Sequence, residues 1–104
     1  MLVNVISKRG LLEAAARHAD ARAALQVWFD IARAAKWTSL EDLRKTFPAT
    51  DMVGDLAIFN IRGNQYRLIV RMVWRYERIY VKEFLTRAEY DSRIRRGRWK
   101  KWLV

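Results

Sequence analysis

Residues 65–74 read Gln65-Tyr66-Arg67-Leu68-Ile69-Val70-Arg71-Met72-Val73-Trp74, and their alternation decides the fold. A strand turns successive side chains to opposite faces. Tyr66, Leu68, Val70, Met72 and Trp74 therefore share one face, which the pattern directs into a core. Arg67, Ile69, Arg71, Val73 and Arg75 share the other. Working outward, Leu56–Ile61 is a second strand candidate, joined through Arg62-Gly63-Asn64, a turn signal because Gly and Asn tolerate positive φ. On the other side, Arg75–Arg78 forms a turn into a third strand, Ile79–Leu85. The three make an antiparallel meander.

The first half has a different period. After a short strand at Leu2–Ile6, Ser7 can cap a helix to about His18, with Leu11, Leu12, Ala15 and Ala19 on one side. A second helix, capped by Asp20, carries Ala21, Leu25, Trp28, Phe29, Ala32 and Ala35 at helical spacing, one apolar stripe. Ser39 starts a third, short helix, with Asp42 placed like a capping-box acid, and Pro48 ends that segment. Beyond the meander, Thr86-x-x-Glu89 is a capping box opening a final helix. The order β-α-α-(α)-β-β-β-α gives an α+β domain, expected over residues 1–104, with helices packed on one sheet face and Arg67 and Arg71 on the other.

Bulk properties narrow the function. With 104 residues the chain supports one core, and 52% hydrophobic residues exclude disorder. The absence of Cys excludes disulfides and thiolate metal sites and points to a reducing cytoplasm. The N-terminus lacks the apolar run of a signal peptide, and no apolar window of about 18 residues exists to span a membrane. Net charge is +10, divided as +2 over residues 1–52 and +8 over residues 53–104. Solubility alone does not require that asymmetry, and a polyanionic partner such as nucleic acid accounts for it.

Standard catalytic sites are missing. The single His18 lies in an Ala-rich segment. Glycine-rich phosphate loops, a nucleophile elbow and His/Cys metal spacing are absent, so neither metal nor cofactor is expected. What remains is arginine on a sheet. Arg67 and Arg71 are four residues apart, about 13 Å along one face, close to two phosphates of an extended single strand. Lys82, Arg62 and Arg87 can extend that surface, and the arginine fork suits phosphate oxygens. The alternative is a solvated face with scattered charge. RNA can be cleaved without metal when its 2′-hydroxyl attacks the adjacent phosphate. Arginine then stabilises charge, and a tyrosine such as Tyr90 helps move a proton. Tyr90 equally fits a role as an anchor of the last helix. No tight-turned helix pair marks a direct DNA reader.

Three blocks, Val5-Ile6-Ser7-Lys8, Phe59-Asn60-Ile61-x-Gly63-Asn64-x-Tyr66-Arg67-Leu68, and Phe84-Leu85-Thr86-x-Ala88-Glu89-Tyr90-Asp91, together resemble the HigB family of toxins within the RelE-like group. The resemblance runs from about residue 3 to residue 95. It implies a toxin that cleaves messenger RNA, usually on the translating ribosome. It also implies a helix-turn-helix (HigA-like) antitoxin, through which alone operator DNA is bound. By position, Arg67 is the implied scissile-phosphate ligand and Tyr90 matches the tyrosine of the last block; Arg87 and Lys82, read from the residues, are the supporting catalytic candidates. Asn60, Gly63 and Asn64 match positions that shape the sheet and turn. One departure stands out: family sequences commonly carry His where this chain has Arg87, and arginine exchanges no proton near neutral pH. Either Arg87 stabilises charge or activity is weakened. The basic tail, Arg95, Arg96, Arg98, Lys100 and Lys101 interleaved with Trp99 and Trp102, offers RNA contacts by charge, and its tryptophans either stack on bases or pack on the domain.

Overall fold

Tyr66–Val73 forms β4, the centre of a sheet in the order β1-β5-β4-β3-β2. The computed structural model describes residues 5–6 and 8–97. Its elements run β1 (Val5–Ile6), α1 (Lys8–Arg17), a 3-10 turn at Ala19–Ala21, α2 (Arg22–Ala34), α3 (Leu40–Thr46), β2 (Asp51–Val53), β3 (Leu56–Ile61), β4, a 3-10 turn at Trp74–Tyr76, β5 (Arg78–Thr86) and α4 (Arg87–Arg95). Strands β2 to β5 are antiparallel neighbours, and β1 adds to the β5 edge in parallel. The α+β order expected from the sequence is the one observed. Ser7 and residues 2–4 of the first expected strand lie outside the described residues, as do Arg98, Trp99, Lys100, Lys101 and Trp102.

The even-numbered face of β4 is the main core. Tyr66, Leu68, Val70 and Met72 pack there with Ala57, Phe59 and Ile61 of β3, Ile79 and Phe84 of β5, and the helical residues Leu11, Ala14, Leu25, Trp28 and Ala32. Trp28 meets the Phe59 ring edge-on at 5.2 Å, and Phe47 meets it from the end of α3 at 5.3 Å. The stripe read along α2 is the one buried. In α1 the expected stripe is narrower: Leu11 and Ala14 are buried, whereas Leu12 is 62% exposed. One residue advances a helix by about 100°, so neighbours such as Leu11 and Leu12 cannot both face the sheet.

Expectation and structure part company on the opposite face. Leu56, Ile58, Ile69 and Leu85 form a second apolar cluster, with Val53 and Tyr90 packed against it. α4 folds back over this face rather than joining the other helices. The helices therefore cover both faces, because β3 and β4 are apolar on both sides near their centres. β2 was also not foreseen. It forms a hairpin with β3 whose two turn residues are Gly54, at φ 62°, and Asp55. Gly-Asp between two strands is a recognised two-residue hairpin signal.

Local chemistry explains the boundaries. Ser39 Oγ accepts from the Asp42 N–H at 3.3 Å, capping α3 as expected, while the Asp42 carboxylate accepts from the Thr38 hydroxyl at 2.6 Å. Thr86 and Glu89 close their capping box at 2.9 and 3.2 Å. Asp20 does not cap α2. The residue before that helix is Ala21, and the Asp20 carboxylate instead accepts from the Tyr66 hydroxyl at 2.7 Å and from Arg62 at 3.0 Å. In the β3–β4 turn the positive φ values fall on Arg62 and Gly63, not on Asn64. The link is four residues long, 62–65, closed by a Gln65 N–H to Arg62 O bond at 3.3 Å, and Arg62 in its left-handed conformation is paired with Asp20.

Two stability predictions follow from these contacts. Gly10 in α1 lies against β5, where an added Cβ would stand 2.9 Å from Val81 Cγ1 and 3.0 Å from Val81 Cβ. Gly10→Ala favours the helix by about 1 kcal/mol, but overpacking a stiff β-branched neighbour costs about 1–3 kcal/mol. The variant is expected to unfold at lower urea than wild type, and Val81→Ala in the same chain to recover most of the loss.

The second concerns Asp20. The hydrogen bond from Tyr66 holds its carboxyl below the usual carboxylate range, with Arg62 adding to the effect. The same bond raises the Tyr66 phenol above its ordinary value. A depressed carboxyl stabilises the fold above its unfolded pKa and loses that contribution as pH falls through the folded one. A raised phenol contributes below about 10 and loses its share as pH rises through its folded pKa. Asp20→Asn should therefore melt below wild type at neutral pH, with the gap closing only under acid conditions beneath the ordinary Asp range. Thermal unfolding monitored against pH reads this directly.

Candidate functional site

On the α4 side of the sheet, cross-strand partners share a face, so register places the polar groups. One row is Asn60–Arg67–Leu85, the next Asp51–Ile58–Ile69–Glu83, and the next Val53–Leu56–Arg71–Tyr80. Tyr90 of α4 lies on the apolar centre of this map. The Arg67 guanidinium sits over the Tyr90 ring, 5.9 Å from its centroid.

Arg67 is held from behind. Its Nη1 donates to the carbonyls of Asn64, at 3.2 Å, and Tyr66, at 3.1 Å, and its Nη2 donates to Asn64 Oδ1 at 2.6 Å. Three of its five N–H donors are thus committed to the β3–β4 turn, leaving two for an anion. That turn also anchors α4, since Gln65 O accepts from the Arg87 N–H at 3.0 Å. One turn therefore sets both Arg67 and the start of the helix that carries Tyr90.

The Tyr90 phenol is raised above its ordinary value, first by burial and then by the negative charge of Asp51. Arg67 opposes the shift by favouring the phenolate. Tyr90 is a neutral hydrogen-bond and proton donor at neutral pH, and a phenolate formed there has a cation above its ring. The ring both anchors α4, one of the two roles read from the sequence, and stands beside Arg67, which the other role needs.

The remaining candidates are not all brought to this point. Arg71 shares the face, one end of it bound to the Asp55 carboxylate at 2.7 Å. Arg87 is exposed at the first turn of α4, 3.9 Å from Asp91. Lys82 is half-buried and is the inserted residue of a bulge in β5, where the register steps between Ile69 and Val70. Arg62 reaches toward the helical layer, to Asp20, and away from the Arg67 row. Arg95 and Arg96 end α4 and are exposed. His18 packs against Tyr66 and Phe84, at 5.0 and 5.6 Å between ring centres, in the main core's margin. Among the described residues no three His, Cys, Asp or Glu side chains converge to hold a metal.

Sequence reading missed Asp51, Asp55 and the grip of Asn64 on Arg67. The first two depend on β2, whose only signal was Gly54-Asp55. The third depends on a turn geometry that brings residue 64 back over residue 67.

The sequence profile described as HigB toxin, RelE-like toxic component of a toxin–antitoxin system, matches residues 21–93. The chain belongs to the HigB toxin family. Among its relatives, the mRNA interferase toxin HigB of Escherichia coli K12 is 24% identical over 92 residues, covering 86% of this chain and 88% of that protein. The mRNA interferase HigB of Shigella flexneri matches to the same extent. Among solved structures, the archaeal RelE–RelB complex of Pyrococcus horikoshii OT3 superposes with a TM-score of 0.51 at 20% identity, covering 84% of this chain and 97% of that one. The fold of this HigB-family chain is thus RelE-like, and as the toxic component of a toxin–antitoxin system it has an antitoxin for a partner. No helix among the described residues is long and apolar enough to cross a membrane.

Proposed function

We propose that this HigB-family toxin is an endoribonuclease that cleaves messenger RNA in the cytoplasm, on the translating ribosome, without metal or cofactor. The observation that carries the reading is Arg67, fixed by the β3–β4 turn over the Tyr90 ring of α4. The names of its relatives, mRNA interferases, agree with it. In the reaction the substrate's 2′-oxygen attacks phosphorus as the 2′-hydroxyl gives its proton to solvent water, and the P–O5′ bond breaks. Arg67 binds the phosphate oxygens as charge builds on them. The Tyr90 phenol protonates the leaving 5′-oxygen, and the cation over its ring stabilises the phenolate until solvent reprotonates it. The products are a 2′,3′-cyclic phosphate and a 5′-hydroxyl. Arg87 contributes charge at the helix start, and Arg71, Lys82 and the basic tail contribute affinity for the strand. The partner antitoxin is of the helix-turn-helix, HigA-like kind and carries the complex to operator DNA.

Mapping the 5′ ends of messages in expressing cells tests this: discrete new ends bearing 5′-hydroxyls are expected. A second reading, a non-catalytic RNA- or ribosome-binding module, is favoured by one feature, Arg87 where family members commonly have His. Under that reading translation is blocked with no new ends.

A further inference from the structure

Tyr80 of β5 is 41% exposed, while Ile79 before it is 1% exposed in the main core. A single exposed aromatic is ordinary on a protein surface. The position of this one is not ordinary. Register pairs Tyr80 with Arg71 and Arg78 with Val73, so Tyr80 stands between two arginines on the same sheet face as Arg67. Arg71 and Arg67 are four residues apart on β4, about 13 Å, the span of about two nucleotides of an extended single strand. The Arg71 side chain reaches on its far side, toward β3, to the Asp55 carboxylate at 2.7 Å, so its backbone position and not its guanidinium is what register sets beside Tyr80. Tyr76, the other largely exposed tyrosine, differs: it sits in the β4–β5 turn with Arg75 over its ring at 5.6 Å.

We infer that Tyr80, bracketed by Arg71 and Arg78, is a stacking subsite for one nucleobase of the substrate RNA, about two nucleotides from the phosphate held at Arg67. The inference rests on the RNA reading of this face. An aromatic ring accepts the π-face of any base, and flanking arginines hold the phosphates on either side, the combination that single-strand binders use. An acidic or apolar protein surface would not need a ring set at nucleotide spacing from a phosphate-binding arginine. The subsite gives the toxin a hold on substrate apart from its reaction centre.

The test is direct binding by the full chain freed of antitoxin. The probe is a fluorescent single-stranded RNA twelve-mer, 2′-O-methylated throughout so that it cannot be cleaved, read by anisotropy. Tyr80→Ala and Tyr80→Leu are expected to weaken binding by roughly 10-fold, and Tyr80→Phe and Tyr80→Trp to stay within about twofold of wild type. A single abasic site walked along the probe should cost wild type a similar factor at one position and cost Tyr80→Ala nothing there. Thermal melting establishes that the variants are folded. Equal binding by wild type, Tyr80→Ala and Tyr80→Leu overturns the subsite. So do identical abasic profiles, a wild type that does not bind, or variants that keep RNA binding and lose only the antitoxin. New 5′ ends in cells with Tyr80-independent binding would leave the nuclease reading standing and sink this one. Tyr80-dependent binding without new ends would do the reverse.

Discussion

Arg67→Ala is expected to abolish growth arrest and to cut cleavage by about 10²–10³-fold, the usual cost of removing one preorganised donor from a developing oxyanion. The protein should remain folded. The three bonds that Arg67 makes go to the β3–β4 turn, whose own geometry is set by Gly63 and by the Arg62–Asp20 pair. Each such bond contributes about 1 kcal/mol or less when exposed, so melting should shift by only a few degrees. Arg67→Lys keeps the charge but cannot both hold Asn64 and present a fork to phosphate, and should recover little of the rate. Undiminished cleavage by folded Arg67→Ala protein would remove this residue from the reaction centre. The measurement is the yield of new 5′ ends at matched protein level, with circular dichroism for the fold.

Tyr90→Phe separates two roles that one ring fills. The phenyl ring still packs on Leu56, Ile58, Ile69 and Leu85 and still lies under Arg67, so stability should hold within about 1 kcal/mol. The hydroxyl is lost, and with it the donor to the leaving oxygen, which should lower the cleavage rate by about 10²-fold or more. Tyr90→Ala should lose both rate and stability, since it also removes the anchor of α4 over the second apolar cluster. If Tyr90→Phe cleaves as wild type does while Tyr90→Ala unfolds, the ring is an anchor only and the proton comes from elsewhere.

Much of the architecture was written in short-range pattern. The alternation from Gln65 to Trp74 gave β4 and its core face, and the α2 stripe gave the residues that cover it. Thr86-x-x-Glu89 gave the start of α4 within one residue, because a capping box satisfies its backbone donors locally. Asp20 shows the limit of such reasoning. Its sequence position suits a cap, but a hydroxyl 46 residues away, on Tyr66, competes for the carboxylate and takes it. Local pattern cannot weigh a partner that only folding delivers.

The candidate site divides the same way. Arg67 and Tyr90 were legible as residue types on recognisable motifs, since their blocks are short and continuous. Their mutual geometry was not, because α4 had to cross the unforeseen second apolar cluster before ring and guanidinium could meet. Arg62, by charge alone a member of the same surface, is drawn to the helical layer by Asp20.

By itself, then, the amino-acid sequence determined the element order, the main core, the basic second half and the toxin-family motifs, all of which depend on neighbours a few residues apart. Tertiary structure decided which face α4 covers, which arginines stand beside Tyr90, and where Asp51, Asp55 and Tyr80 come to lie. Those placements depend on strand register and on apolar surface buried between segments far apart in the chain, and no local pattern encodes either.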